Sequence, residues 1–167
     1  MLTMLGSRRR GALLRLHPRL WSELLQELGE RGEGIRESGA FLLGPESLQK
    51  VASEFVLYDD LDPDCLTGGI SFHGVGYHRL SEHCRQKGVR VRADVHTHPT
   101  AWVQQSSIDR GHPMVARDGH LAVIVPNYGR TPCHPSQVGL HRYRADNGWD
   151  TWRGKEVVRK LYIGRWP

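Results

Sequence analysis

The feature that most constrains this 167-residue chain is the run from Val89 to His98, closed by Pro99. In an extended backbone Val89, Val91, Ala93 and Val95 point one way and Arg90, Arg92, Asp94 and His96 the other, so the run predicts a strand with one apolar face. The same period places His96 and His98 on one side. Pro99 ends the strand, Ser106 is suited to cap a following helix, and Asp109 falls three residues later in its first turn. A loop that folds back would bring the Asp109 carboxylate to a metal held by the two histidines. Two imidazoles and one carboxylate leave a coordination position open, which is the donor set of a hydrolytic zinc. Each half alone has a structural explanation, because Ser-x-x-Asp is a common helix start and His-x-His occurs on solvated strands. Their combination, with proline directly after the second histidine, points to chemistry.

The remaining pattern predicts an α+β class with a mixed sheet flanked by helices. Ala12 to His17 reads as extended. Pro18 opens a helix with an apolar stripe at Trp21, Leu24, Leu25 and Leu28. Strands are expected over Glu37 to Leu43, Val51 to Tyr58 and Leu121 to Val125, and a turn-rich loop over Asp59 to Asp64. Helices are expected from about Val75 to Gln86, ended by Gly88, and from Ser106 to about Arg117. Gly139 to Arg144 and Trp149 to Arg153 form an expected hairpin about Asp146-Asn147-Gly148. The tail from Glu156 to Trp166 fits a helix or a strand equally. The expected organisation is a basic arm over residues 1–11 and one domain over 12–167.

Composition narrows the function classes. The 23 basic and 18 acidic residues give a net charge of +5; setting aside Arg8, Arg9 and Arg10 leaves +2, so the domain body is nearly balanced. Nucleic acid is therefore not an expected partner, and the arm reads as a solvated tail. No apolar run approaches the ~20 residues of a membrane span. Cys65, Cys84 and Cys133 form no C-x-x-C pair or disulfide framework, which suits a reducing cytoplasm.

His96-Thr97-His98-Pro99, with Ser106 eight residues after the second histidine and Asp109 three after that, resembles the JAMM signature of the JAB/MPN/Mov34 metalloprotease family. The family's glutamate, seven residues before a glycine that closes an apolar run, is matched by Glu37 and Gly44. The likeness extends from about Leu14 to Arg153. Gln105 stands where a proline often precedes the serine, and Ala40 where a glycine often follows the glutamate. The resemblance implies a single MPN/JAB-like domain with a partly barrel-like sheet. It further implies one Zn2+ per chain bound by His96, His98 and Asp109, with Glu37 as general base and acid toward the activated water. Ser106 would donate to the developing oxyanion.

Relatives of this kind act at the C-termini of ubiquitin-like proteins. The implied substrates are a bacterial ubiquitin-like protein and its conjugates, with E1- and E2-like proteins as further partners, as in antiphage operons. Alternatives are a peptidase acting on a sulfur-carrier protein in cysteine synthesis, an inactive MPN scaffold, and a nucleic-acid binder using the arginine arm. Trp102, in the loop that must rim the metal, is read as part of the substrate groove. Phe72 and Gly74, from the glycine-rich stretch beginning at Gly68, are candidate substrate contacts, although a plain loop explains that composition equally well. The other histidines, including His120 and His141, carry no comparable pattern and read as surface or satisfied core groups; His112 is close enough in sequence to Asp109 to support it, but reads first as a surface histidine.

Overall fold

The computed structural model describes residues 11–130, 132–146 and 148–165. The arginine arm, Asn147 of the hairpin turn and Trp166 lie outside the described residues. Strand β1 (Leu14–Leu16) leads into helix α1 (Pro18–Gly32). The His17 side chain accepts a hydrogen bond from the Arg19 N–H at the start of α1, and Pro18 occupies the first turn, where its missing N–H costs nothing. Trp21, Leu24, Leu25 and Leu28 form the buried stripe. The chain continues through β2 (Gly39–Pro45), β3 (Val51–Ala52), β4 (Glu54–Leu57), α2 (Tyr58–Leu61), α3 (Gly74–Lys87) and β5 (Val89–Thr97). After β5 come α4 (Ser107–Gly111), β6 (Leu121–Val125), β7 (Gly139–Arg144), β8 (Gly148–Trp152), α5 (Lys155–Lys160) and β9 (Leu161–Ile163).

Six strands form one sheet in the order β4-β2-β5-β6-β7-β8. Its neighbours are antiparallel except for the parallel pair β5–β6. A small parallel sheet, β3-β1-β9, lies apart from it. The main core joins Leu42, Ala93, Val95 and Val123 on one face of the large sheet to the stripe of α1 and to Leu14, Leu16 and Leu161 of the small sheet. On the opposite face Phe41, Leu43, Tyr58, Leu61 and Leu80 form a second cluster under α3. The large sheet is open, ending at β4 and β8 among the described residues, which corrects the partly barrel-like expectation.

Several boundaries differ from the sequence pattern, each for a local reason. Glu37 precedes β2 instead of opening it, since the ladder begins at Gly39 opposite His96. Val51 to Tyr58 is two strands in two sheets. The chain steps across at Ser53, whose N–H donates to the Leu43 carbonyl, and Tyr58 already belongs to α2, which replaces part of the expected loop. The helix expected to reach Arg117 stops at Gly111, because Pro113 disfavours helical backbone at the residue before it. The tail resolves into α5 followed by β9.

The alternation of β5 is broken once. Leu42 pairs with Ala93 but Leu43 with Val91, so Arg92 is an extra residue in a bulge. Ala93 and Val95 therefore face the main core, while Val89 and Val91 pack against the second cluster. The bulge corrects the single apolar face read from the sequence. It also lets apolar residues face α3 at one end of the strand and polar ones occupy that same face at the other.

Gly39 is required by close approach. A Cβ there would overlap the Tyr58 ring and come within 2.7 Å of the Val95 carbonyl oxygen. Gly39→Ala is expected to destabilise the fold by about 1–3 kcal/mol through overpacking, read as a lower urea midpoint at unchanged slope.

Candidate metal centre

His96 sits near the end of β5 and His98 just beyond it. The chain leaving the strand is tied down on both sides: the His98 N–H donates to the Val125 carbonyl at 2.9 Å, and the His98 carbonyl accepts from the Tyr128 N–H at 2.8 Å. Asn127 and Tyr128 hold this position with left-handed backbone, φ 54° and 57°, a conformation that non-glycine residues adopt at an energetic cost. The His98 Nδ1–H donates to the Trp102 carbonyl at 3.0 Å, which assigns the tautomer and leaves Nε2 as a lone pair. The Trp102 ring stacks on His98, centroids 5.5 Å apart and planes within 18°, while half exposed. Trp102 thus forms the rim beside the second histidine and does not line the cavity that holds His96 and Asp109.

Asp109 is placed by the first turn of α4. The Ser106 Oγ accepts from the Asp109 N–H at 3.1 Å, and the Ser106 N–H donates to Asp109 Oδ2 at 2.7 Å. This capping box aims the carboxylate at the histidines. Oδ1 lies 3.6 Å from His96 Nε2 and Oδ2 lies 3.4 Å from His98 Nε2, while the two Nε2 atoms are 3.2 Å apart. One ligand atom from each residue falls within 4.8 Å of the others. Both imidazoles are more than nine-tenths buried. Two buried nitrogens and a carboxylate converging in this way match the donor types and open geometry of a zinc site.

The local electrostatics follow from this convergence. Burial alone would push the His96 imidazole down, but Asp109, Asp94 and Glu37 outweigh it and raise it. Burial alone would raise Asp109; the two imidazoles and Ser106 instead hold it well below the usual carboxylate range.

Glu37 is fixed by its neighbours in sequence. Its N–H donates to the Gly68 carbonyl. Ser38 donates from Oγ to the Leu28 carbonyl at 2.7 Å, and from N–H to Thr97 Oγ1 at 3.0 Å; the Thr97 N–H returns a bond to the Ser38 carbonyl. Continuing the β2–β5 register one pair beyond Ser38 and Thr97 sets Glu37 across from His98. Burial raises its carboxyl, while His96 and His98 pull it down less strongly.

Glu37, His96, Ser106 and Asp109 all line a cavity of about 460 Å3, together with Ile70, Phe72 and Gln105. Gly74 does not line it; it opens α3 with open space around its Cα. His112 reaches the cavity edge as an exposed residue.

Two buried histidines on the same face do not join the triad. His141 Nε2–H donates to the Val103 carbonyl and its Nδ1 accepts from Thr151, each at 3.0 Å, so neither nitrogen is free. His120 Nε2–H donates to Asp94 Oδ1 at 2.6 Å. The sequence reads His120 as a surface or satisfied core group; the structure buries it against Asp94, which lies two positions before His96 on the same face.

Among known proteins, no protein-family model matches the chain. A curated relative from Sinorhizobium fredii, "Probable metalloprotease y4jG", is 29% identical over 86 residues. That match spans 52% of this chain and 52% of the relative, so this chain matches about half the relative's length. Solution structures of proteins from Desulfitobacterium hafniense and Salinibacter ruber share the fold. The first has a TM-score of 0.65 at 15% identity, covering 92% of this chain and 94% of that one. The second has 0.58 at 14%, covering 92% and 93%. A JAB1/MPN domain protein of Archaeoglobus fulgidus superposes at 0.44 with 16% identity, over 91% of this chain and 100% of that one. At these identities the two solution structures show a shared fold alone. Among the described residues no helix is long and apolar enough to cross a membrane.

The buried His141 generates a pH prediction. Burial pushes its imidazole down to about 4, against the pull of the Val103 carbonyl. The unfolded group titrates near 6.5 and then binds a proton that the folded group refuses. Its contribution is complete above about pH 6.5 and is lost as pH falls toward 4, at up to roughly 1.4 kcal/mol per unit. The urea midpoint is expected to fall between pH 7 and 4.5 in the wild type, and to fall less in His141→Gln.

Proposed function

We propose that this chain is a JAMM-type zinc peptidase or isopeptidase that cleaves at the C-terminus of a bacterial ubiquitin-like protein. The observation that carries the reading is the convergence of His96, His98 and Asp109 on one point at the wall of a cavity that also holds Glu37 and Ser106. When bound there, zinc would supply a Lewis acid that polarises the scissile carbonyl and activates water near neutral pH.

The chain's own residues divide the remaining work. Glu37, held rigidly by the clamp around Ser38 and with its carboxyl raised by burial, accepts the proton of the attacking water and returns it to the departing amine. A hydroxyl has one proton and two lone pairs. Capping engages a lone pair of Ser106 Oγ, so its O–H remains available to donate to the oxyanion. The substrate tail runs as an extended strand past Gly69, Ile70 and Phe72, which line the cavity beside Glu37. Trp102 bounds the same opening at the His98 side. The partners in this reading are the ubiquitin-like protein, its conjugates and the E1- and E2-like proteins that make them. The setting is the cytoplasm, in keeping with three free thiols.

The test uses zinc-loaded protein and linear fusions of bacterial ubiquitin-like proteins to a reporter. Glu37→Gln is expected to keep zinc and lose about 10²-fold or more in turnover. Ser106→Ala is expected to keep zinc and lose about 10²-fold in kcat. Near-wild-type turnover in Glu37→Gln would reject Glu37 as the base, and no cleavage of any fusion or conjugate by the wild type would reject the substrate class.

A further inference from the structure

The chain is basic overall, yet among the described residues no lysine or arginine lines the cavity beside the metal centre, whereas three carboxylates do: Glu37, Asp109 and Asp94. Asp109 faces the histidines, and Glu37 is assigned to proton transfer. Asp94 has neither task. It lies two residues before His96 on β5, about 6.6 Å further along the strand, and is 2% exposed. Its Oδ1 accepts from the His120 Nε2–H at 2.6 Å, and the Tyr58 hydroxyl lies beside the same carboxylate. Among the described residues the His120 Nδ1 is buried with no hydrogen-bond partner, and Nε2 carries the N–H directed at Asp94. That bond engages Oδ1 of the Asp94 carboxylate, and Asp94 lines the cavity.

A second observation points to the same place. Among the described residues the Tyr58 hydroxyl, wholly buried beside Asp94, makes no well-formed hydrogen bond, and Tyr58 lines this cavity with Asp94. Buried hydroxyls are nearly always satisfied. Around these two polar groups stand aromatic rings: Phe72 lies 5.3 Å from Tyr58 and 4.8 Å from Tyr77, centroid to centroid. The Phe72 ring is seated on α3 because Gly76 has no Cβ to displace it. A buried carboxylate, a phenol without a well-formed hydrogen bond and an aromatic wall together favour an organic cation, through charge-assisted hydrogen bonds and ring quadrupoles.

We propose that the inner end of this cavity is a binding pocket for the basic side chain of a lysine or arginine next to the cleaved bond, read by Asp94 and Tyr58 and walled by Phe72 and Tyr77. The proposal deepens the peptidase reading and rests on it for the identity of the ligand as part of a substrate. The pocket selects a positively charged residue within one or two positions of the carbonyl at the metal.

The test is binding, so that it does not depend on cleavage. Zinc-loaded protein is titrated with acetyl-arginine amide, acetyl-lysine amide and the uncharged acetyl-citrulline amide, followed by NMR shifts of the Phe72 and Tyr77 ring protons. Zinc content is measured in parallel. The arginine or lysine probe is expected to bind the wild type at least about tenfold more tightly than citrulline. Asp94→Asn, which preserves an acceptor for His120, is expected to abolish that preference while keeping zinc. Tyr58→Phe is expected to weaken the cationic probe several-fold while raising thermal stability, because it removes a buried hydroxyl without a well-formed hydrogen bond. Equal binding of charged and uncharged probes, no binding of either, or an undiminished preference in Asp94→Asn would overturn the pocket. Tyr58→Phe decides in the same way should Asp94→Asn fail to fold. Absence of zinc or of any peptidase activity would instead count against the peptidase reading, and is read separately.

Discussion

The site depends on the antiparallel pairing of β2 with β5. That pairing sets Gly39 opposite His96, and the Ser38–Thr97 exchange carries it one step beyond the strand. Two segments far apart in sequence are thereby aligned at the same edge: one bears Glu37, the other His96 and His98. The alignment needs a residue without a side chain where the strands and the Tyr58 ring meet, and Gly39 provides it. The core supports it from behind, because the Leu28 carbonyl at the end of α1 receives the Ser38 hydroxyl. Packing of the helix and placement of the glutamate are thus one structural event.

Given that frame, the metal centre is an electrostatic problem solved locally. Two imidazole nitrogens 3.2 Å apart and a carboxylate are held together in a largely buried position. The Nε2 atoms of His96 and His98 face each other directly, with the Asp109 carboxylate beside both. The fold spends local hydrogen bonds to sustain the arrangement: the Trp102 carbonyl fixes one histidine, and the capping box of α4 fixes the aspartate. The left-handed backbone at Asn127 and Tyr128 belongs to the same effort, since it presents the Tyr128 N–H to the His98 carbonyl.

What was legible in the sequence was what is local. The two-residue spacing of His96 and His98, the proline that ends their strand, and the Ser106–Asp109 cap are all short-range patterns, and the structure brings those side chains together. The apolar stripe of α1 and the glycine that ends α3 are equally short-range. What escaped was set by pairing. The bulge at Arg92 carries no glycine or proline to announce it, yet it reverses the facing of Val89 and Val91. The division of Val51 to Tyr58 between two sheets depends on which partner each half finds. The Asp94–His120 pair joins residues 26 positions apart across a parallel strand pair, and no spacing rule reaches that far. Glu37 was identified by its resemblance to a family motif, while its position just outside the strand follows from backbone bonds to Gly68 and Thr97 that periodicity does not encode.

The central claim is that His96, His98 and Asp109 form a metal site, and metal stoichiometry measured by mass spectrometry tests it most directly. The account predicts about one zinc per chain in the wild type, retained on dialysis, and its loss in Asp109→Ala with the fold intact by circular dichroism. A wild-type protein that takes up no zinc when it is supplied, or an Asp109→Ala variant that binds zinc as tightly as the wild type, would contradict it.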